Sequence, residues 1–349
     1  MSTKGLRLAL AVLIPLLLVA PIRAAAAGVL LNGSGSTFIY PIESAWSVVY
    51  AKVDPGLRIN YQPVGSGKGI GELIQRMTDF AGSDAPLTDQ QIKDSPGRIL
   101  HFPAVLGADV LIYNIPGIPQ AARLRLTGPV IADIFSGKIK KWNDKAILDL
   151  NRGLELPDSG IIPCHRSDGS GTTYIFADYL SKVSQEWAQE IGKGTTVKWP
   201  VGSEAPGNDG VATLVKQTPG AVGYVESTYA VNAGLPYAQI RNSAGQWVDA
   251  DIKTLTVAAA NNLANLPGDF RASITDASGA GAYPIASYTF FLVYEQQSDR
   301  AKGQALKNFL QWVLRDGQTF ARALHYAPLP ATVITREEAQ LEQIKLPAQ

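Results

Sequence analysis

At 349 residues, 46% of them hydrophobic, the chain is long enough for two domains and ordinary in composition for a globular protein. Its formal charge is +1, and residues 1–26 contribute Lys4, Arg7 and Arg23 but no acids, which leaves −2 for the remainder. That balance excludes an electrostatic footprint for nucleic acid or an anionic membrane, so any bound anion must be held by local dipoles and hydrogen bonds.

Lys4 and Arg7 precede an apolar run from Leu8 to Ile22, and Ala24-Ala25-Ala26 offers a small-residue cleavage site. The pattern reads as a secretory signal peptide over residues 1–26. Pro15, Pro21 and the early end of the run weigh against a membrane anchor. The single cysteine, Cys164, lies deep in the chain, which excludes a disulfide and a lipid-attachment cysteine at the cleavage site. An exported chain of this kind is expected in the bacterial periplasm.

Leu30-Leu31 opens into Asn32-Gly33-Ser34-Gly35-Ser36-Thr37-Phe38, after which Ile42, Trp46, Val49 and Val53 recur at helical spacing. Pro41 suits the first turn of that helix, and Thr37 is placed to cap it. Leu57 to Val64 alternates as a strand and runs into Gly65-Ser66-Gly67-Lys68-Gly69, followed by a second helical pattern from Ile70 to Met77. Asp79 to Pro86 predicts a short strand ending in a turn that carries Asp84, whose plainest role is to bond its own backbone. Residues 99–114 are almost continuously apolar and read as the crossover from a first domain to a second. Thr127 to Leu150 is helical and mixed, with Lys138 to Trp142 read as a solvated basic face.

Ile161 and Ile162 lead into Arg166-Ser167-Asp168-Gly169-Ser170-Gly171-Thr172, and Ile175, Phe176, Tyr179, Leu180 and Val183 then mark a helix. Free N–H groups at such a helix start, with Ser170 and Thr172 hydroxyls beside them, make a ready anion site. Arg166 adds a forked cation, and Asp168 is close enough to hold it. Beyond it, Gly202 to Gly210 reads as a loop, Val211 to Val215 as the start of a helix, and Pro219 to Val225 as a turn and strand. Residues 242–283 are polar and Gly/Ala-rich with some helix. Tyr288 to Tyr294 is β-rich, and Ala305 to Val313 is helical.

Three Ser/Gly turns, each between a strand-like run and a helix, point to an α/β fold in which they gather at the carboxyl ends of the strands. None of them satisfies a P-loop or dinucleotide fingerprint, and no serine sits in G-x-S-x-G. His101, His165 and His325 are scattered without metal-ligand spacing, so no metal or other cofactor is expected. Cys164 has aliphatic neighbours and reads as a buried, inert thiol.

Together these residues resemble the periplasmic phosphate-binding proteins of phosphate-specific ABC transporters. The resemblance spans Leu31 to about Pro330 and rests on Gly33 to Phe38, Val64 to Gly67, Gly82 to Pro86, Arg166 to Thr172, Lys138 to Trp142 and Val197 to Pro200. It implies the type II periplasmic-binding-protein fold: two α/β domains with open, helix-flanked sheets, joined by a hinge near residues 103–110 and 282–288. Residues 27–106 with 285–349 would form domain I, and 107–284 domain II. Inorganic phosphate would lie between them, contacted by Thr37, Phe38 (through N–H), Ser66, Asp84, Arg166, Ser170, Gly171 (through N–H) and Thr172, with Asp168 bracing the arginine. The implied partners are the permease subunits of an ABC importer, and no catalysis is expected. A secreted phosphatase or a carrier of another oxyanion such as sulfate is the alternative. The chain departs from the family pattern at Ser34 and Ser36, where alanine is frequent, and at His165, where a second arginine is common.

Overall fold

The computed structural model describes residues 28–119 and 122–348; the expected signal peptide lies outside them. The first three strands, β1 (Val29–Gly35), β2 (Leu57–Gln62) and β3 (Phe80–Ser83), are parallel, with β1 in the middle. Helices α1 (Tyr40–Val53) and α2 (Ser66–Ile74) are the crossovers between them, and α3 (Asp89–Asp94) follows β3. Parallel neighbours need such crossovers, and a sheet built this way is covered on both faces.

The fifteen residues of β4 (Ile99–Tyr113) are all buried, which is why they read as one apolar run. Their partner changes part-way along. From Ile99 to Ala108 the strand pairs antiparallel with β11 (Ala286–Tyr294), which itself borders β3. From Asp109 to Tyr113 it pairs instead with β8 (Ala221–Glu226), beyond which lie β6 (Ile162–Arg166) and β7 (Ser203–Ala205). One curled eight-stranded sheet results, in the order β2-β1-β3-β11-β4-β8-β6-β7, made of two half-sheets that share β4. The β4–β11 ladder is irregular between Thr289 and Phe290, opposite Pro103, where proline has no N–H to give.

Between β4 and β6 lie β5 (Arg125–Thr127), α4 (Gly128–Phe135) and α5 (Lys145–Leu148). After β6 come α6 (Gly171–Val183), α7 (Gln185–Glu190) and, past β7, α8 (Gly207–Gln217). Then α9 (Ser227–Ala233) follows β8, and β9 (Gln239–Arg241) and β10 (Trp247–Val248) join β5 in a small second sheet. The chain continues through α10 (Ile252–Asn262) to β11 and ends with α11 (Arg300–Leu314) and α12 (Ala331–Leu341). Among the described residues no helix is long and apolar enough to cross a membrane.

Helix α6 shows how packing fixes the position of the Arg166 segment. Ile175, Phe176 and Leu180 are at most 1% exposed, each burial contributing about 1.5–3 kcal/mol, and Phe176 stacks on Tyr224 of β8 at 4.4 Å. The helix N-terminus is thereby held at the end of β6.

The structure departs from the sequence pattern at three places. The 202–210 segment contains β7, and α8 begins at Gly207, before the apolar run that was to start it. Trp142 is no part of a solvated face: it is fully buried, and its Nε1 donates to Gly220 O at 3.0 Å, while Lys138 and Lys141 pair at the surface with Glu186 and Asp158. Thr37 does not cap α1. Ser36 Oγ accepts from Phe38 N at 2.9 Å and Ile39 N at 3.3 Å instead, because the turn places that hydroxyl under the free amides.

Candidate functional site

The turns after β1, β2, β3 and β6 meet where the two half-sheets face each other. Thr37, Phe38, Ser66, Asp84, Arg166, Ser170 and Thr172 are each 5% exposed or less, and Gly171 is buried with them. Gly65, with φ +89°, starts α2 in a conformation that disfavours a side chain, and an added Cβ there would meet Asp168 Oδ2 at 2.3 Å. Gly67 N donates to Gly169 O at 2.8 Å, which ties the β2 turn to the β6 turn. A Cβ on Gly171 would lie 2.3 Å from Asp84 Oδ2 and 2.4 Å from Ser66 Oγ. Only glycine lets the start of α6 come so close to the β3 turn.

Arg166 ends β6, and its guanidinium is gripped by Asp168 through two bonds, Nε to Oδ1 at 2.7 Å and Nη2 to Oδ2 at 2.5 Å. Burial raises the Asp168 carboxyl, and the guanidinium more than offsets this, so it sits below the usual range and stays ionised. Nη1 remains to reach Thr172 Oγ1 at 3.4 Å. Ser170 caps α6, its Oγ accepting from Thr173 N at 3.0 Å. The expected brace is therefore present, with its planar fork.

Asp84 does more than close its own turn. Its carboxylate accepts from Ser36 Oγ at 2.6 and 2.7 Å, from Thr289 Oγ1 of β11 at 2.7 Å and from Ser66 Oγ at 3.4 Å. Burial pushes its pKa up to about 6, and these hydroxyls and Arg166 keep it from rising further. Ser36, marked in the sequence only as a departure, is thus an Asp84 ligand. Phe38 N–H donates to the same Ser36 Oγ at 2.9 Å. His165 stacks on Trp199 at 4.8 Å, and burial lowers its pKa from the usual 6.5, which favours the neutral ring.

Besides Thr289, other buried groups escaped sequence reasoning. Asn208, in the first turn of α8, is fully buried and touches both Thr37 and Thr172. A polar residue between Gly207 and an apolar run was the available signal, and it marks a helix start without saying what the amide meets. Asp109 sits where β4 changes partner, directly opposite Glu226 of β8, and neither of its carboxyl oxygens has a hydrogen-bond partner. Burial, reinforced by the facing Glu226, holds its carboxyl well above the usual range. Burial likewise raises Glu226 to about 8, offset in part by Ser227 and Thr228. The other flagged residues are quiet: Cys164 is buried, its thiol pushed up to about 12, and buried His101 is lowered to about 4. No group of His, Cys, Asp and Glu side chains among the described residues could hold a metal ion.

Residues 23–317 match the model of a PBP superfamily domain. Over 309 residues the chain is 44% identical to the phosphate-binding protein PstS of Xylella fastidiosa strain Temecula1, covering 88% of this chain and 84% of that one. The chain belongs to the PstS family. A second member, from Pasteurella multocida, is 40% identical over 310 residues, covering 89% of each chain. A solved phosphate-binding protein from Stenotrophomonas maltophilia matches at a TM-score of 0.67 and 20% identity, covering 89% of this chain and 93% of that one. At that identity the likeness speaks for the fold, and it agrees with the type II architecture expected of the family. The motif-based resemblance and the α/β class are borne out. PstS proteins are periplasmic solute-binding proteins, a class without catalysis.

Proposed function

We propose that the protein binds inorganic phosphate between its two half-sheets and delivers it to the membrane permease of an ABC phosphate importer. The carrying observation is the convergence of one braced guanidinium, the hydroxyls of Thr37, Ser66, Ser170 and Thr172, and the start of α6 around a single buried acceptor, Asp84. Donors suit oxyanion oxygens, and a lone carboxylate suits an oxyanion that still carries a proton. Thr37, Phe38, Ser66, Asp84, Arg166, Ser170, Gly171 and Thr172 are the contact residues of this reading; Phe38 and Gly171 act through N–H, that of Phe38 shared with Ser36. Relatives named phosphate-binding protein support it.

In the same reading, residues 27–106 with 285–349 form one domain and 107–284 the other. The change of partner on β4 between Ala108 and Asp109 supports that division. The hinge lies at residues 103–110 and 282–288, and phosphate selects a closed form that the permease distinguishes from the open one. The protein works in the periplasm after export by residues 1–26, and it releases its ligand unchanged.

Calorimetry on refolded, ligand-stripped protein with phosphate, sulfate, a phosphonate and a phosphate ester tests this, with scattering on the same samples. One phosphate per chain and a smaller radius of gyration in its presence are expected. Equal affinity for sulfate, or hydrolysis of the ester, would overturn the reading; an unchanged radius with phosphate bound would remove the hinge.

A further inference from the structure

Asn208 joins residues of three different segments through its N–H and side chain. Its Nδ2 donates to Thr37 Oγ1 at 2.7 Å and to Thr172 Oγ1 at 3.2 Å. Its backbone N–H donates to Thr37 Oγ1 at 3.4 Å. The opposite side of the amide, Oδ1, accepts from Glu226 N at 3.0 Å. A backbone N–H can only donate, so the atom facing it must be the oxygen, and the amide has one orientation. The loop before it is also fixed: Gly207, with φ +70°, donates its N–H to Asp168 Oδ1 at 3.1 Å.

A threonine hydroxyl has two acceptor lone pairs and one proton. Two donors are aimed at Thr37 Oγ1, both from Asn208. Two are aimed at Thr172 Oγ1, from Asn208 Nδ2 and from Arg166 Nη1 at 3.4 Å. With their lone pairs engaged, both hydroxyls have only a proton left to present. The other acceptor within reach of Thr172 is Asn208 Oδ1, at 3.5 Å, the limit of a hydrogen bond. An oxyanion oxygen is the better partner for that proton.

We infer that Asn208 is a positioning residue that forces the Thr37 and Thr172 hydroxyls to act as proton donors, so that the site offers bare oxyanion oxygens donors everywhere except at Asp84. Thr37 follows β1 and Thr172 follows β6, so the same amide spans the two half-sheets and sets this polarity only when they are together. The inference rests on the phosphate reading and specifies how that site tells protonated from unprotonated ligand oxygens.

Asn208→Asp keeps the shape and replaces the donor Nδ2 with an acceptor. Each threonine proton is then drawn to the new carboxylate, and lone pairs face the ligand. The expected result, by calorimetry near pH 8, is phosphate binding weakened by about 100-fold or more. The deficit should shrink as the pH is lowered and the new carboxyl protonates, a pH profile that lost packing alone does not produce. Binding within about threefold of the parent, or a deficit independent of pH, overturns the inference. If Asn208→Asp does not fold, a cycle of Asn208→Ala with Thr37→Val decides: losses that fail to add support it, and losses that add within about threefold overturn it. A parent that ignores phosphate defeats the functional reading itself. A parent that binds beside an Asn208→Asp variant that binds as well defeats only this inference.

Discussion

Asp84→Asn is the change that separates the one acceptor of the site from its many donors. The two carboxylate oxygens have different surroundings. Ser36 Oγ bridges both, at 2.6 and 2.7 Å; Oδ1 also accepts from Thr289, whereas Oδ2 lies against Ser66 and the start of α6. In the asparagine variant the amide oxygen takes the Oδ1 place, where both hydroxyls satisfy it, and the NH₂ turns toward the ligand. Near pH 8 the parent carboxyl, its pKa pushed up to about 6 by burial, is in its ionised form. Hydrogen phosphate can donate its proton to that carboxylate in a charge-assisted bond, while sulfate has none to donate.

A hydrogen bond to a charged group contributes about 1.5–3 kcal/mol, so phosphate loses that much in the variant and sulfate gains a comparable amount. The selectivity for phosphate over sulfate should fall by about 3–6 kcal/mol, a factor of roughly 10²–10⁴. Competitive titration of both anions against parent and variant near pH 8 reads it directly. A selectivity within about tenfold of the parent's, about 1.4 kcal/mol, would refute the reasoning. The same carboxyl also marks the stability of the unliganded protein. Its rise from the usual 3.8 to about 6 favours the protonated fold, so stability falls by about 3 kcal/mol as the pH climbs through that window and levels off above it.

Arg166→Lys keeps the charge but loses the fork that Asp168 grips through two bonds, and calorimetry should show phosphate binding weakened by about 2–3 kcal/mol. Asp109→Val replaces an unpartnered buried carboxyl in a strand with an apolar β-branched side chain. Denaturant unfolding should show a gain of about 1–3 kcal/mol and a shallower loss of stability as the pH rises above the usual aspartate range, because the parent's raised pKa is what creates that loss.

What was legible in the sequence was local. Ser66, Ser170 and Thr172 stand in turns whose glycines and flanking periodicity announce a helix start, and the Arg166–Asp168 pair is two residues apart. The carboxyl ends of parallel strands did the rest, since they bring such turns to one edge. What was hidden depends on contacts between distant segments. Thr289 reaches Asp84 across 205 positions, and Asn208 reaches Thr37 across 171. No periodicity encodes either. Trp142 was misplaced because its basic neighbours resemble a surface, while the ring is taken up by Gly220, 78 residues away. Ser36 was visible as an unusual residue, and only the β3 turn shows that its proton goes to Asp84.

The charges of the site explain why so many of its parts are neutral. Asp168 already cancels Arg166, and an ionised Asp84 leaves the cluster of three with a formal charge of −1, on a chain whose residues beyond 26 carry −2. Net attraction therefore cannot hold a phosphate dianion here. Binding has to come from directed donors that are desolvated and already aimed, and each donor must be prevented from turning its lone pair inward. The N–H groups of α6 cannot do so, because peptide geometry fixes them. The Arg166 guanidinium cannot, because it has no lone pair to offer and Asp168 fixes its plane. Hydroxyls can rotate: those of Ser170 and Ser66 are held by the backbone N–H groups of Thr173 and Asp84, from which they accept at 3.0 and 3.3 Å, and Thr37 and Thr172 need a device of their own. Asn208 supplies it, oriented by a backbone N–H of β8 that has no second way to bond.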